Sequence, residues 1–208
     1  MTEIPKYIDI VVPEQQREVM RENLDELSYL FIDATFHSQT SQYIEMGDEY
    51  SETYNLFYTL SHNIYFGGAV FAKNGEEIVG MTTWKNIPLQ NLVHAFEYPT
   101  TSPQLIDYVQ RLRNTSGISD LVRLISTVVA PDEHEKGIGT ALRRTAIQEI
   151  TKQHQNGAIV LTDHQRNNKP IIQSSRSLGF VHSPITWSKG EPWDMWYLVI
   201  PPHQQSTR

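Results

Sequence analysis

The sequence predicts one α/β domain built around a mixed sheet, and three observations point there. Apolar runs of strand length alternate with a helix-period segment through the second half of the chain: "LVRLISTVVA", then "IGTALRRTAIQEI", then "AIVLT". Two hairpin patterns lie on either side of that stretch, one turning at Asn74-Gly75 and one at "SKGEP". No repeat, low-complexity stretch or linker divides the 208 residues, a length that suits one ordinary domain with a real core.

Taken in order, "YIDIVV" (Tyr7 to Val12) reads as a strand, and Pro13 is placed to open a helix over about 14–30. A second helix is expected over 49–60. "GGAVFAKNGEEIVGMTTWK" is the clearest hairpin, two strands joined at Asn74-Gly75. "PLQNLVHAFEYPTTSP" has no period and reads as irregular, "PQLIDYVQRLR" (Pro103 to Arg113) as a helix, and "NTSG" ends that helix. From Leu121, "LVRLISTVVA" is nearly continuous in apolar and β-branched residues, as a strand buried on both faces should be. Ile138, Ala141, Leu142, Ala146 and Ile150 share one helical face, and Gly157 stops the helix. "AIVLT" (Ala158 to Thr162) is another buried strand. Asn168 suits an N-cap and Pro170 the first turn of a short helix that follows. "FVHSPITW" and "WDMWYLVI" close the chain as a hairpin.

Composition narrows the function. The formal charge of −7 argues against a general nucleic-acid binder, which shows a basic face, and suits a cationic or amine substrate. Cysteine is absent, which removes disulfides, thiolate ligands and a cysteine nucleophile together. The N-terminus "MTEIPKYIDI" lacks the pattern of a signal peptide and no apolar run reaches the length of a membrane span, so a cytoplasmic protein without a membrane partner is expected. His37, His62, His154, His164 and His182 show no metal-ligand spacing, and no metal is expected. Trp193, Trp196 and Tyr197 lie along the last strand and read as core and sheet edge rather than a platform for bases.

The stretch "VVAPDEHEKGIGTALRR" raises a question, because it places two glycines where a helix begins. A helix N-terminus carries unpaired N–H groups and a partial positive charge. Glycines let that backbone approach a phosphate with no Cβ in the way. Gly137, Ile138, Gly139, Thr140 and Ala141 are therefore candidates to present amides to a pyrophosphate, while a plain turn from strand into helix is the simpler reading. A Walker loop is excluded, since no Gly-Lys-Ser/Thr is present, and position 142 is Leu where a dinucleotide fingerprint has its third glycine.

"VAPDEHEKGIGTAL" resembles the acyl-CoA-binding motif of the GNAT superfamily of N-acetyltransferases, Val-x-Pro, then Arg/Gln-x-x-Gly-x-Gly/Ala, then a helix. A second element of that family, Asn, a helix, then Gly-Phe, is matched by Asn168 to Gly179-Phe180. The resemblance is specific over about 121–180 and architectural elsewhere. It implies that residues 1–208 form a single GNAT-like domain, a central, mixed, mostly antiparallel twisted sheet flanked by helices. It implies acetyl-CoA as co-substrate, lying between the Leu121–Ala130 and Ala158–Thr162 strands. The backbone of Thr127, Val128 and Val129 would bond pantetheine, and one N–H, that of Val129, would polarise the thioester carbonyl. His134, Lys136, the glycine loop and Asn168 complete the expected cofactor contacts.

Four departures from the family pattern matter. His134 stands where the motif has Arg or Gln, and a solvated loop histidine is the simpler reading. Asp132, Glu133 and Glu135 crowd a proposed dianion site, with Lys136, Arg143 and Arg144 to offset them; an ordinary solvated loop and helix face is the alternative. Ser175 occupies the position of a tyrosine that protonates the leaving thiolate, and either relays a proton or only caps and fills space. No general base is visible: counting back from Val129, the shared face offers Thr127, Ile125 and Arg123. Arg123 either binds a substrate carboxylate or makes a strand-end salt bridge, and Asp120, His94 and Glu97 are bases without support from spacing. The expected function is transfer of acetyl from acetyl-CoA to a primary amine, on a small molecule or peptide that carries a carboxylate if Arg123 binds it. The alternative is a catalytically idle acyl-CoA sensor or interaction module. The 86–117 insertion and "YSETYNLFYTLSHNIYF" would shape the acceptor pocket. The terminal hairpin offers an edge for a homodimer.

Overall fold

The computed structural model describes residues 4–13, 23, 27, 30, 67–92, 102–189 and 191–203. The helix expected over 49–60, the aromatic segment 50–66, His37, His62, His94, Glu97 and nearly all of the helix expected over 14–30 lie outside them. The described chain holds seven strands: β1 (Ile8–Val11), β2 (Gly67–Asn74), β3 (Glu77–Asn86), β4 (Leu121–Val129), β5 (Ala158–Gln165), β6 (Val181–Lys189) and β7 (Glu191–Ile200). Its three α-helices are α1 (Ser102–Ser116), α2 (Ile138–Gln153) and α3 (Lys169–Ser177). The strands form one sheet in the order β1-β2-β3-β4-β5-β7-β6. β4 runs parallel to β5, whereas β1 with β2, β2 with β3, β5 with β7 and β6 with β7 are antiparallel. The expected mixed α/β architecture is the one observed.

The chain divides into two compact units, Met1–Lys85 with Ile125–Ala146, and Asn86–Leu124 with Ile147–Arg208. In the first, the β2–β3 hairpin turns through Gly75, whose φ of 62° suits glycine, with Asn74 opposite Glu77. Ala69, Phe71, Ile78 and Met81 bury one face of that hairpin against Leu27 and Leu30, with Val128 and Ala130 packed on the cluster. Gly80 brings β4 in close: a Cβ there would lie 3.1 Å from the Val128 carbonyl oxygen and 3.2 Å from Leu142 Cδ1. The glycine thus fixes how near β3 lies to the strand that leads into the loop.

In the second unit, β4 and β5 pair at Leu121–Ile159, Val122–Val160 and Arg123–Leu161, and β5 pairs with β7 along its full length. β5 is buried almost throughout, which explains its unbroken apolar start. α1 lays Leu105 and Val109, four residues apart, onto Leu121, Ile159, Leu161 and Met195. Truncating a side chain such as Leu105 to alanine is expected to cost ~2–5 kcal/mol. α3 begins as its sequence predicts, with Asn168 Oδ1 accepting from the Ile171 amide at 3.3 Å and Pro170 in the first turn. β6 is the last strand of the order; it contains Pro184, and its register against β7 slips between His182 and Thr186.

Candidate active site

The glycine loop lies in the first unit, and its shape follows from a few backbone contacts. The Ala130 amide donates to the Val79 carbonyl on β3 at 2.8 Å. Neighbouring residues of a strand direct their polar groups to opposite edges, so the Val129 amide and carbonyl point away from β3. That carbonyl accepts a hydrogen bond from His134 Nε2 at 2.9 Å. His134 is exposed, as expected of a loop histidine, and it ties the loop back onto β4. Thr82 steadies the strand from below: its hydroxyl donates to the Ser126 carbonyl at 2.9 Å and lies 2.8 Å from the Thr127 hydroxyl.

After the single turn Pro131–Glu133, the backbone is left-handed at Glu135 (φ 64°) and again at Gly137 (φ 81°). At Gly137 this conformation is what glycine adopts readily; at Glu135 it costs on the order of 1–2 kcal/mol. Left-handed residues alternating with ordinary ones turn successive amides to one side, an anion-binding concavity. The Ala141 amide does not take part: it donates to the Gly137 carbonyl at 3.0 Å and closes the first turn of α2. A helix commits its amides in this way once its first turn closes.

Gly139 has a different reason from Gly137. Its φ is not positive, and a Cβ would meet only the Cγ2 atoms of Val129 and Thr127, at 3.6 and 3.7 Å, ordinary contact. The protein's own packing therefore tolerates a side chain there; what a Cβ would fill is the space above the helix end. The two contacts also show that Thr127 and Val129 share a face, as the alternation predicts.

The charges sort differently from the expectation of a solvated face. Asp132 and Glu135 are at or near the surface, but Glu133 is buried, with its Oε2 accepting from Tyr7 at 3.2 Å and from Lys136 Nζ at 3.1 Å. Arg143 is also buried, 1 % exposed, and desolvation pushes its guanidinium down to about 9, still charged at neutral pH. It belongs to the inner face of α2 rather than to a solvated one.

The Acetyltransferase (GNAT) family model matches residues 32–180. The chain belongs to the GNAT acetyltransferase family. No curated protein sequence matches it. Among solved structures it is similar to the ribosomal-protein-S18-alanine N-acetyltransferase from Escherichia coli, at 13 % identity and a TM-score of 0.59, covering 97 % of this chain and 99 % of that one. The Salmonella typhimurium protein yncA, solved with its cofactor acetyl-CoA, matches at 13 % identity and 0.59, covering 96 % and 98 %. The ribosomal-protein-alanine N-acetyltransferase from Brucella melitensis matches at 14 % identity and 0.57, covering 92 % and 99 %. These likenesses, at such identity, concern the fold.

This GNAT chain keeps its remaining predicted residues in the second unit. Ser175 is fully buried, and its Oγ lies 2.6 Å from His164 Nε2, a partner on β5 that sequence spacing did not suggest. Rather than only filling space, the serine joins α3 to β5. Trp196 lies beside this pair, with the His164 ring centroid 6.2 Å away and the exposed Arg176 guanidinium 5.5 Å from its own ring. Arg123 donates from Nη2 to Asp163 Oδ1 at 3.0 Å, both side chains largely buried, so the salt-bridge reading is the one realised here. Asp120 Oδ2 lies 2.8 Å from His154 Nδ1, and His154 Nε2 lies 3.2 Å from Asn86 Oδ1. The side-chain oxygen of Asn168 is engaged in its cap, leaving its NH₂ group for any ligand. Among the described residues no group of three or more His, Asp or Glu could hold a metal ion, and no helix is long and apolar enough to cross a membrane.

Proposed function

We propose that this GNAT N-acetyltransferase transfers acetyl from acetyl-CoA directly to a primary amine of a small molecule or a peptide. The observation that carries the reading is the loop from Glu135 to Gly139, where left-handed backbone and an unfilled Cβ position open onto the start of α2. The amides of Ile138, Gly139 and Thr140 would hold the diphosphate, and the backbone of Thr127, Val128 and Val129 would bond pantetheine. The Val129 amide, pointing away from β3, would polarise the thioester carbonyl, an effect typically worth ~10²–10³ in rate. Acetyl-CoA supplies an acyl carbon activated by a thiol leaving group.

The new C–N bond forms as the C–S bond breaks; the amine nitrogen loses a proton and the departing sulfur gains one. Among the described residues no base is placed for the first of these protons. Asp120 is engaged by His154, and Arg123 cannot accept a proton. An α-amine titrates close enough to neutrality to react through bound water. Arg123 is met by Asp163 on its own chain, so neither repulsion of an ammonium nor a waiting guanidinium fork calls for an acceptor carboxylate. A single domain active in the cytoplasm remains the setting that suits this chemistry.

Thermal shift with CoA, followed by thiol release with a panel of amino acids, peptides and polyamines, tests the proposal. Stabilisation by CoA together with amine-dependent thiol release is expected. Stabilisation with no release across the panel would favour an idle acyl-CoA module, and no stabilisation would remove the reading of the loop.

A further inference from the structure

A carboxylate beside a diphosphate repels it, and the loop carries three. Glu133 is the one held inside, and its two donors also meet each other: Lys136 Nζ donates to the Tyr7 oxygen at 3.2 Å and lies 5.9 Å from that ring's centroid. The three side chains close a triangle. It joins the residue that precedes β1, the turn that follows β4, and the residue directly ahead of Gly137. The contact between Glu133 and Lys136 also spans Glu135, the residue held in a left-handed conformation.

We propose that Tyr7, Glu133 and Lys136 fasten the loop in its ligand-binding shape before acetyl-CoA arrives, with Lys136 a positioning residue rather than a phosphate ligand. The inference rests on the loop being the acyl-CoA phosphate site. A lysine that reached for the diphosphate would abandon Glu133 and leave a buried carboxylate without its cation. The hydrogen bond to Tyr7, and after it the one to Glu133, hold the lysine's pKa above its ordinary value, in keeping with an ammonium already engaged. Backbone amides then bind the anion, and fixing them beforehand lowers the ordering cost that binding must overcome. This division of labour also accommodates His134 in place of the family's Arg or Gln.

Glu133→Gln separates the two roles by the sign of its effect. If Lys136 served the phosphates, removing a nearby negative charge and releasing the lysine would tighten binding. If the triangle is a fastener, the same change loosens the loop and weakens binding. Titration calorimetry with CoA is expected to show ~10-fold weaker binding for Glu133→Gln and for Lys136→Met, with the double variant no weaker than the poorer single one. Amide hydrogen exchange without ligand should quicken over 134–140 and stay unchanged over 68–84, a difference that general destabilisation would not produce. Tyr7→Phe keeps the ring and removes only the hydroxyl; it should cost ~3-fold, and it carries the test if Glu133→Gln does not fold. Wild-type protein that fails to bind CoA would remove the phosphate-site reading itself. Wild type that binds, alongside a Glu133→Gln or Tyr7→Phe protein that binds as tightly and exchanges as slowly, would overturn the fastener alone.

Discussion

The loop after β4 and the polar side-chain pairs of β5 are built in opposite ways. The loop works through backbone: two left-handed residues, one unfilled Cβ position and the start of a helix, all within a few residues of one another. The pairs join side chains from different elements, Arg123 on β4 with Asp163 on β5, and His164 on β5 with Ser175 on α3. A site made of backbone leaves its mark as glycines at fixed spacing. A site made of paired side chains leaves none, because any arginine and any aspartate look alike until strands set their register.

The strongest test of that contrast is Gly139→Asp. It adds a side chain and a negative charge where a phosphate is proposed to lie, and should weaken CoA binding by ~100-fold or more while circular dichroism stays native. Undiminished CoA affinity in the folded variant would remove the backbone half of the comparison. Arg123→Ala attacks the other half. It leaves Asp163 buried without its cation, and should cost ~3 kcal/mol or more in denaturant unfolding, with CoA affinity nearly unchanged. A variant of normal stability whose acceptor KM rises steeply would instead assign Arg123 to the substrate.

Ser175→Ala should act more gently. Loss of its bond to His164 is expected to cost ~1–3 kcal/mol of stability, and turnover should fall by far less than the ~10²-fold expected if the hydroxyl were the acid for the leaving thiolate. A drop of that size with intact acetyl-CoA affinity would give the serine a chemical role after all. The smallest effect belongs to Tyr108 on α1, whose ring lies 6.0 Å from that of Tyr197. Burial, and then its hydrogen bond with Tyr197, pushes the phenol up to about 12. The unfolded chain releases this proton near its ordinary value of about 10. The fold still holds it there, so the contribution present at lower pH is lost as pH rises through that window. Ultraviolet titration should show one late-ionising tyrosine that disappears in Tyr108→Phe.

These residues also show what the sequence made legible. The strand before the motif, the capped helix α3 and the hairpins were readable because apolar period, N-cap chemistry and turn residues act over short spans. Ile138, Ala141, Leu142, Ala146 and Ile150 were readable as one helical face; four of them are buried and Ala141 is partly so. Arg143, one residue beyond Leu142, was not readable in this way, since nothing local tells a buried guanidinium from a solvated one. The same holds for Glu133: three acids in a loop look solvated until Tyr7, from the other end of the chain, is known to lie beside one of them. At Ala141 the amide closes the first turn of α2, a one-residue distinction that the sequence does not mark.

The outermost strand has a consequence for assembly. Among the described residues β6 ends the sheet on one side, and an open strand edge ordinarily invites another chain to add itself. Here an incoming strand would meet Pro184, which has no amide to give, in a stretch where the ladder with β7 has already slipped. Val181, half exposed, is left at one end with little continuous backbone to accompany it. A strand added at this margin would thus find a broken ladder to extend.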